Sequence, residues 1–291
     1  MLLTAFSAAA LWFCLERGYV LYYGDAQAHL SIARRLMDSR TPGYEQIGTV
    51  WLPLPHWLAL PFAAYDPWWR SGLAGAIPSA VAYVIGGMFW FAAACRMFAA
   101  PAAAWTALLV FALNPNILYL QSIPMNEVIQ AAGLAGLFWG LIAYSQDGGW
   151  RPVMVAALAS LATTLTRYEG WFYIPFAALV ILIAKRRWWP AIVFGAIASL
   201  GPLHTLAFNQ IYYSDALEFY RGPYSPRVQN GVYPGLGDLA TAVEFYFAAI
   251  RLNTGWPLVV LGGIGMLAAL RRSRSILFLA LPVAFYVWSM Y

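Results

Sequence analysis

Charge is the first thing this sequence lacks. Only 10% of its 291 residues are Asp, Glu, Lys or Arg, while 62% are hydrophobic. Soluble domains carry about 25% charged and about 45–50% apolar residues, so the composition excludes a water-soluble globular domain. The cations fall in short stretches between apolar runs rather than on one face, and a net charge of +5 gives no footprint for nucleic acid. Cysteine is equally sparse. Cys14 lies inside the first apolar run and Cys95 follows the second. They have no metal-ligand spacing, and two thiols at different membrane depths do not pair. Residues 1–15 lack a basic flank and an A-x-A-like cleavage site, which excludes a secretory signal peptide and predicts a retained helix. No zinc spacing, P-loop, nucleophile elbow or Rossmann glycine pattern is present. There is no fixed-period repeat, low-complexity tract or soluble domain. Nor are two halves duplicated, as they are in many transporters.

What is present is apolar length. A spanning helix needs about 20 apolar residues, with a range of about 17–25. Nine runs qualify or come close: 1–22, 73–94, 102–120, 128–144, 152–166, 171–184, 189–208, 255–270 and 276–291. The expected fold is all-α, a polytopic membrane protein in which residues 1–291 form a single transmembrane domain of about nine helices. Its 14 Trp and 18 Tyr suit interfacial belts, where an apolar ring with a polar edge sits best. The run 276–291 stops inside an apolar segment without a cap, so a truncated C-terminus is expected.

Orientation follows from charge. With 23–72 outside, the inside loops are 95–101, 145–151, 185–188 and 271–275. They hold Arg96, Arg151, Lys185, Arg186, Arg187, Arg271, Arg272 and Arg274, which is 8 of the 17 basic residues, but only one of the 12 acids, Asp147. The positive-inside rule counts Lys and Arg near span ends and favours this arrangement. Two outside regions are long, 23–72 and 209–254. The first opens with an amphipathic segment, 26–37, expected to lie in the interface. Further on, three prolines within 53–61 oppose a regular spanning helix. The second carries turn signals at Gly222-Pro223-Tyr224-Ser225-Pro226 and Tyr233-Pro234-Gly235, then a short surface helix over 238–251.

Three polar tips map to that outer side. The first is Tyr23-Gly24-Asp25-Ala26-Gln27-Ala28-His29. Gly24 breaks the first span, and Asp25 either caps the next helix or serves as a base or metal ligand. His29 lies one turn on, on the same face. Arg34, Arg35 and Arg40 follow, suited either to anionic membrane headgroups or to a phosphodiester. The second tip runs from Asn114-Pro115-Asn116 to Pro124-Met125-Asn126-Glu127. Glu127 is either a second active-site carboxylate or a complement to its helix N-terminus. The third tip, Thr166-Arg167-Tyr168-Glu169-Gly170-Trp171, is a tight turn with adjacent opposite charges. Arg167 either holds an anionic group or pairs locally with Glu169. His56, between prolines and Trp57, reads as a structural hydrogen-bonder or a ligand contact. His204 is expected to bond a carbonyl freed by Pro202. The convergence of three tips on one side defines a site at the outer interface, open to a lipid-tethered substrate from the bilayer and a second substrate from water.

These motifs resemble the GT-C superfamily of integral-membrane glycosyltransferases, which includes protein O-mannosyltransferases and aminoarabinose transferases acting on lipid A. The resemblance rests on Tyr23-Gly24-Asp25-Ala26-Gln27-Ala28-His29, Thr49-Val50-Trp51-Leu52-Pro53-Leu54-Pro55-His56, Pro124-Met125-Asn126-Glu127 and Thr166-Arg167-Tyr168-Glu169-Gly170-Trp171, in that order, over roughly residues 1–210. It implies an essential acid in the first outer loop, which falls on Asp25, and a second acid, which falls on Glu127. It also implies basic residues at the donor phosphate: Arg167, with His29 and Arg34 behind it and Glu169 and His56 alongside. Many members carry a second acid directly after the first; here that position is Ala26, which removes one carboxylate from any metal-bridging role. The donor implied is a polyprenyl-phosphate sugar, and the acceptor a glycan, lipid or protein. The place implied is a bacterial inner membrane, with the site facing the periplasm. The resemblance implies no certain cofactor, and a divalent metal stays open.

The chemistry expected is displacement at the anomeric carbon. The lipid phosphate is already a good leaving group, so the protein deprotonates the acceptor and stabilises phosphate charge. Two other classes compete. A transporter or flippase for a lipid-linked or anionic substrate places its site near the bilayer midplane, whereas the acids here sit at one interface. A non-catalytic polyprenyl-lipid-binding relative binds without turnover.

Overall fold

The structure is a computed structural model that describes residues 1–225, 228 and 237–272. Among them every regular element is helical. In chain order these are α1 (Leu2–Glu16), α2 (Gly24–Arg35), a 3-10 turn (Tyr44–Ile47), α3 (Leu54–Ala63), α4 (Asp66–Ser71) and α5 (Leu73–Met97). Next come α6 (Pro101–Ala112), α7 (Pro115–Leu120), α8 (Glu127–Asp147), α9 (Trp150–Thr164) and α10 (Glu169–Lys185). The series ends with α11 (Trp188–Ala198), α12 (Leu200–Tyr213), α13 (Glu218–Arg221), α14 (Leu239–Thr254) and α15 (Trp256–Arg272).

Among the described residues three helices are long and apolar enough to cross a bilayer: α5, α8 and the run Trp188–Tyr213 formed by α11 and α12. The pair α14–α15, bent by 109°, would make a fourth. Large apolar side chains face outward along two of these helices, among them Val81, Ile85 and Met88 on α5 and Ile192, Leu203 and Ile211 on α11–α12. Such a surface suits lipid better than water. The interior mixes large apolar side chains with small residues, and the small ones set the closest helix approach. On α8, Gly133, Gly136 and Gly140 recur at helical spacing and lie against Thr163, Ala159 and Ala156 of α9. The backbones can approach because these positions carry little or no side chain, a common solution where water does not drive packing. Leu137, Leu141, Val153, Ala157, Ala177, Ile181 and Phe194 fill the space among α8, α9, α10 and α11.

The basic loops gather at one end of these helices. Arg96 at the end of α5 pairs with Asp147 at 2.8 Å, and Lys185 donates to the Gln146 carbonyl at 3.1 Å. α5, α8 and α10 all run towards this end and α9 runs back from it, so the tips at Glu127 and Arg167 lie at the opposite end.

Several expectations change. Residues 102–120 do not form one helix. Asn114 stops α6 and caps α7, its Oδ1 accepting from the amides of Asn116 and Ile117, and Pro115 starts the new helix because it has no amide to lose. The first run ends early as well: α1 closes at Glu16, and Gly18 takes a left-handed backbone at φ 68°. Arg17 packs over the Phe13 ring, 5.4 Å from its centre. The prolines at 53–61 permit a short helix, because Pro55 falls in the first turn of α3. A helix does follow Asp238, whose Oδ1 accepts from Ala240 and Thr241. The run 276–291, Arg274 and the Tyr233-Pro234-Gly235 turn lie outside the described residues.

The close approach of α8 and α9 is testable. A Cβ added at Gly140 would lie 2.7 Å from the Pro152 carbonyl and 2.9 Å from the Ala156 amide nitrogen, both rigid backbone. Gly140→Val is expected to destabilise the protein by about 1–3 kcal/mol, read as a lower thermal midpoint in detergent. Gly195→Val, where nothing lies within 4 Å, should leave that midpoint nearly unchanged.

Candidate functional site

The site begins with two turns and the segment that straps them together. The first turn, 121–126, leads into α8. Gln121 is fully buried, accepts from the Ser7 hydroxyl at 2.6 Å and donates to the Ser122 hydroxyl at 2.6 Å. Ser79 donates to the Met125 carbonyl at 3.0 Å. Ile123 and Met125 pack around Ala26, which is itself fully buried. The first turn of α2, with Asp25, is thereby set against the turn that carries Glu127.

The second turn joins α9 to α10. The Leu165 carbonyl accepts from the Leu54 amide at 3.0 Å, and Tyr168 donates its hydroxyl to the Thr49 carbonyl at 3.2 Å. Both bonds bind it to the 49–54 strap. Burial pushes the Tyr168 phenol up, so it stays a protonated donor.

Arg167 links the two turns. Its Nη1 lies 3.0 Å from Glu127 Oε1 and donates to Asn126 Oδ1 at 3.1 Å. Its Nη2 meets Glu169 Oε1 at 2.8 Å. All three charged side chains are about one-third exposed, so each pair is worth about 0–1 kcal/mol of stability. The geometric consequence is larger: both carboxylates are aimed by one guanidinium. Glu127 keeps its other oxygen, Oε2, buried and without a hydrogen-bond partner, which leaves a carboxylate oxygen able to accept.

Next to this cluster lies a histidine pair. His29 Nδ1 and His56 Nε2 are 3.0 Å apart, and His29 lies over the Trp51 ring with centroids 4.4 Å apart. His29 is 6% exposed and His56 fully buried. Burial, helped by the Arg167 charge, lowers the His29 pKa to about 4. Burial, with His29 and Arg35 helping and the Leu52 carbonyl opposing, lowers that of His56 to about 3. Both rings are neutral at pH 7, so one proton sits in the bond between them.

The predicted residues thus separate. Glu127, Arg167 and Glu169 touch one another, and His29 and His56 form a pair within electrostatic reach of Arg167. Asp25 sits on the exposed side of α2 in its first turn, while His29 turns inward. It is not the cap: Tyr23 occupies that position, without a side-chain bond. Arg34 is turned elsewhere. It binds Asp38 at 2.8 Å, Asp66 at 2.9 Å and the Ala63 carbonyl at 2.8 Å, tying α2 to α3 and α4. His204 bonds the Tyr44 hydroxyl at 2.8 Å rather than a carbonyl freed by Pro202. Asn126, Trp51, Thr49 and Tyr168 were missed as site residues. Asn126 directly precedes Glu127, and that adjacency was the available signal. Among the described residues no three His, Cys, Asp or Glu side chains gather as a metal site would require, and no step below is routed through a metal.

Among the described residues, fold and site together define an all-helical structure with three or four bilayer-length apolar helices and a half-buried charged cluster at one end. Compared with protein-family models, curated proteins and solved structures, the chain matches none.

The histidine pair has a pH consequence. Both folded values, about 4 and about 3, lie below the unfolded value near 6.5. The folded state therefore binds fewer protons, and the stability from the neutral pair is present above about pH 6.5 and is lost as pH falls towards 4. The thermal midpoint should fall between pH 7 and pH 5. The double variant His29→Gln, His56→Gln should flatten that slope; an equally steep slope would remove the pair as its cause.

Proposed function

We propose that the chain is a membrane glycosyltransferase that moves a sugar from a polyprenyl-phosphate donor to an acceptor at the outer membrane face. The observation that carries this reading is the convergence of Glu127, Arg167 and Glu169 beside the His29–His56 pair, under a helix whose first turn holds Asp25. In this reading the 23–72 loop faces the periplasm of a bacterial inner membrane, α2 rests in the interface, and the short helices complete a bundle of about nine spans.

The step is a displacement. The acceptor hydroxyl gives its proton to a carboxylate, and its oxygen bonds to the anomeric carbon. The bond from that carbon to phosphate oxygen breaks, and the lipid phosphate leaves with the electron pair. Asp25, exposed and without an ion pair among the described residues, serves as base toward the acceptor. Arg167 meets the donor phosphate by turning one donor away from Glu127. Arrival of the donor then frees Glu127 Oε1, beside an Oε2 that already lacks a partner. The neutral histidines add no competing positive charge and offer an N–H.

Purified protein in liposomes, given radiolabelled polyprenyl-phosphate sugars and a panel of acceptors, should form a labelled glycoside. Asp25→Asn should lower the rate by about 10²–10⁴-fold with membrane insertion intact. Full activity in that variant would end the assignment of Asp25 as base. Arg167→Lys keeps the charge but loses the fork that spans two carboxylates, and should impair turnover more than expression. Net substrate flux without any glycosidic product would favour a transporter.

A further inference from the structure

A second concavity lies at the far end of α2. Arg35, Glu45, Gln46, Gly48, Tyr212 and Tyr213 line a cleft of about 400 Å³ between the 3-10 turn and the end of α12. Ligand pockets typically measure about 300–1,000 Å³. Arg35 and Glu45 are both exposed, and neither side chain forms an ion pair or hydrogen bond among the described residues. The Gln46 amide nitrogen is taken by Thr41 at 2.9 Å, which leaves its oxygen as an acceptor. Tyr212 and Tyr213 add two half-exposed rings, at 44% and 39%.

An adjoining slot, mostly apolar, holds polar groups without partners. It shares Gly48 with the cleft, and Thr49, Trp51, His204 and Asn209 are part of its lining. Asn209 is fully buried, yet neither of its amide atoms has a hydrogen-bond partner. His204 Nδ1 is likewise buried without one. The slot's free space of about 10 Å³ is close to the volume a single water or hydroxyl requires.

These features select a ligand class. One cation and one anion face the same cleft, so a phosphate or carboxylate drawn by Arg35 would meet Glu45. A ligand whose groups both donate and accept satisfies Arg35, Glu45, Gln46 and Asn209 together, and flat apolar faces suit the tyrosine rings. Hydroxyls on a saturated ring meet both demands. Position adds a length requirement. Asp25 and Arg35 stand ten residues apart on α2, about 15 Å at the helical rise, too far for one monosaccharide to touch both ends. We propose that this cleft is a saccharide subsite, which holds the distal part of an uncharged oligosaccharide at about 15 Å from Asp25. The ligand class stands on the cleft alone; its role as the acceptor rests on the transferase reading above. The strap between the two sites serves both, since Trp51 stacks on His29 while Gly48 and Thr49 border the cleft and its slot.

Full-length protein in nanodiscs can be titrated with fluorescent linear malto-, cello-, manno- and chito-oligosaccharides, from disaccharide to hexasaccharide, and with a sulfated oligosaccharide as the charged probe. At least one neutral series should bind, more tightly as it lengthens. Glu45→Gln and Tyr213→Ala should each weaken binding by about tenfold, a loss of about 1.4 kcal/mol, and Arg35→Gln should act likewise. Arg151→Gln, exposed at the opposite end of the bundle, should leave binding unchanged. The proposal is overturned if no neutral oligosaccharide binds, if the cleft variants bind as well as the parent, or if the sulfated probe is preferred. Arg35 and Glu45 are exposed, so their variants do not threaten folding. Binding that depends on the cleft without any sugar transfer would sustain the subsite and defeat the transferase reading, which separates the two failures.

Discussion

The end of the molecule that carries Glu127 depends on one guanidinium. Arg167 sits on a turn between two helices, and its planar fork reaches Glu169 on its own helix junction and Glu127 at the start of another. Five donors in a rigid plane allow this; an ammonium on a flexible stem would not fix two carboxylates in one geometry. The surrounding bonds hold the turns that hold the fork. Leu54 and Tyr168 tie the Arg167 turn to the strap, while Ser79, Gln121 and Ala26 hold the Glu127 turn. Half-exposed ion pairs contribute little stability, so packing keeps this geometry in place and the ion pairs set its direction.

That division of labour runs through the fold. Glycine and alanine bring α8 and α9 close enough for one end of the pair to present Glu127 and Arg167 side by side. Large apolar side chains fill the gaps between helices and also cover the outside. Some buried polar groups hold turns, as Gln121 and Ser122 do with Ser7 of α1. The histidine pair follows the same economy. Burial keeps both rings neutral, so they satisfy one another by sharing a proton and impose no charge beside Arg167.

Much of this was legible in the sequence, and the failures have physical reasons. Charge bias placed the tips of Asp25, Glu127 and Arg167 on one side; Glu127, Arg167 and Glu169 touch one another, while Asp25 stays on the exposed side of α2 without reaching them. The all-helical class followed from apolar run length. Long-range partners were not legible. Arg34 suited a phosphate by residue type, but Asp66, on a different helix, takes it. His204 was assigned to its neighbouring proline because a contact with Tyr44 leaves no local trace. The break inside 102–120 was hidden by averaging: mean hydropathy runs straight through Asn114-Pro115, although that pair both ends and caps a helix. The cleft at Arg35 and Tyr213 escaped notice because its two walls come from distant segments with no shared motif.

The proposed function requires a lipid phosphate to come to rest beside Arg167. Photoaffinity labelling tests this most directly, using a polyprenyl-phosphate analogue with its photoreactive group next to the phosphate. The account predicts cross-linked peptides containing Asn126-Glu127 and Arg167-Tyr168-Glu169, with labelling suppressed by excess unlabelled polyprenyl phosphate. Label confined to the basic loops at the opposite end, around Arg96 and Lys185, would contradict it.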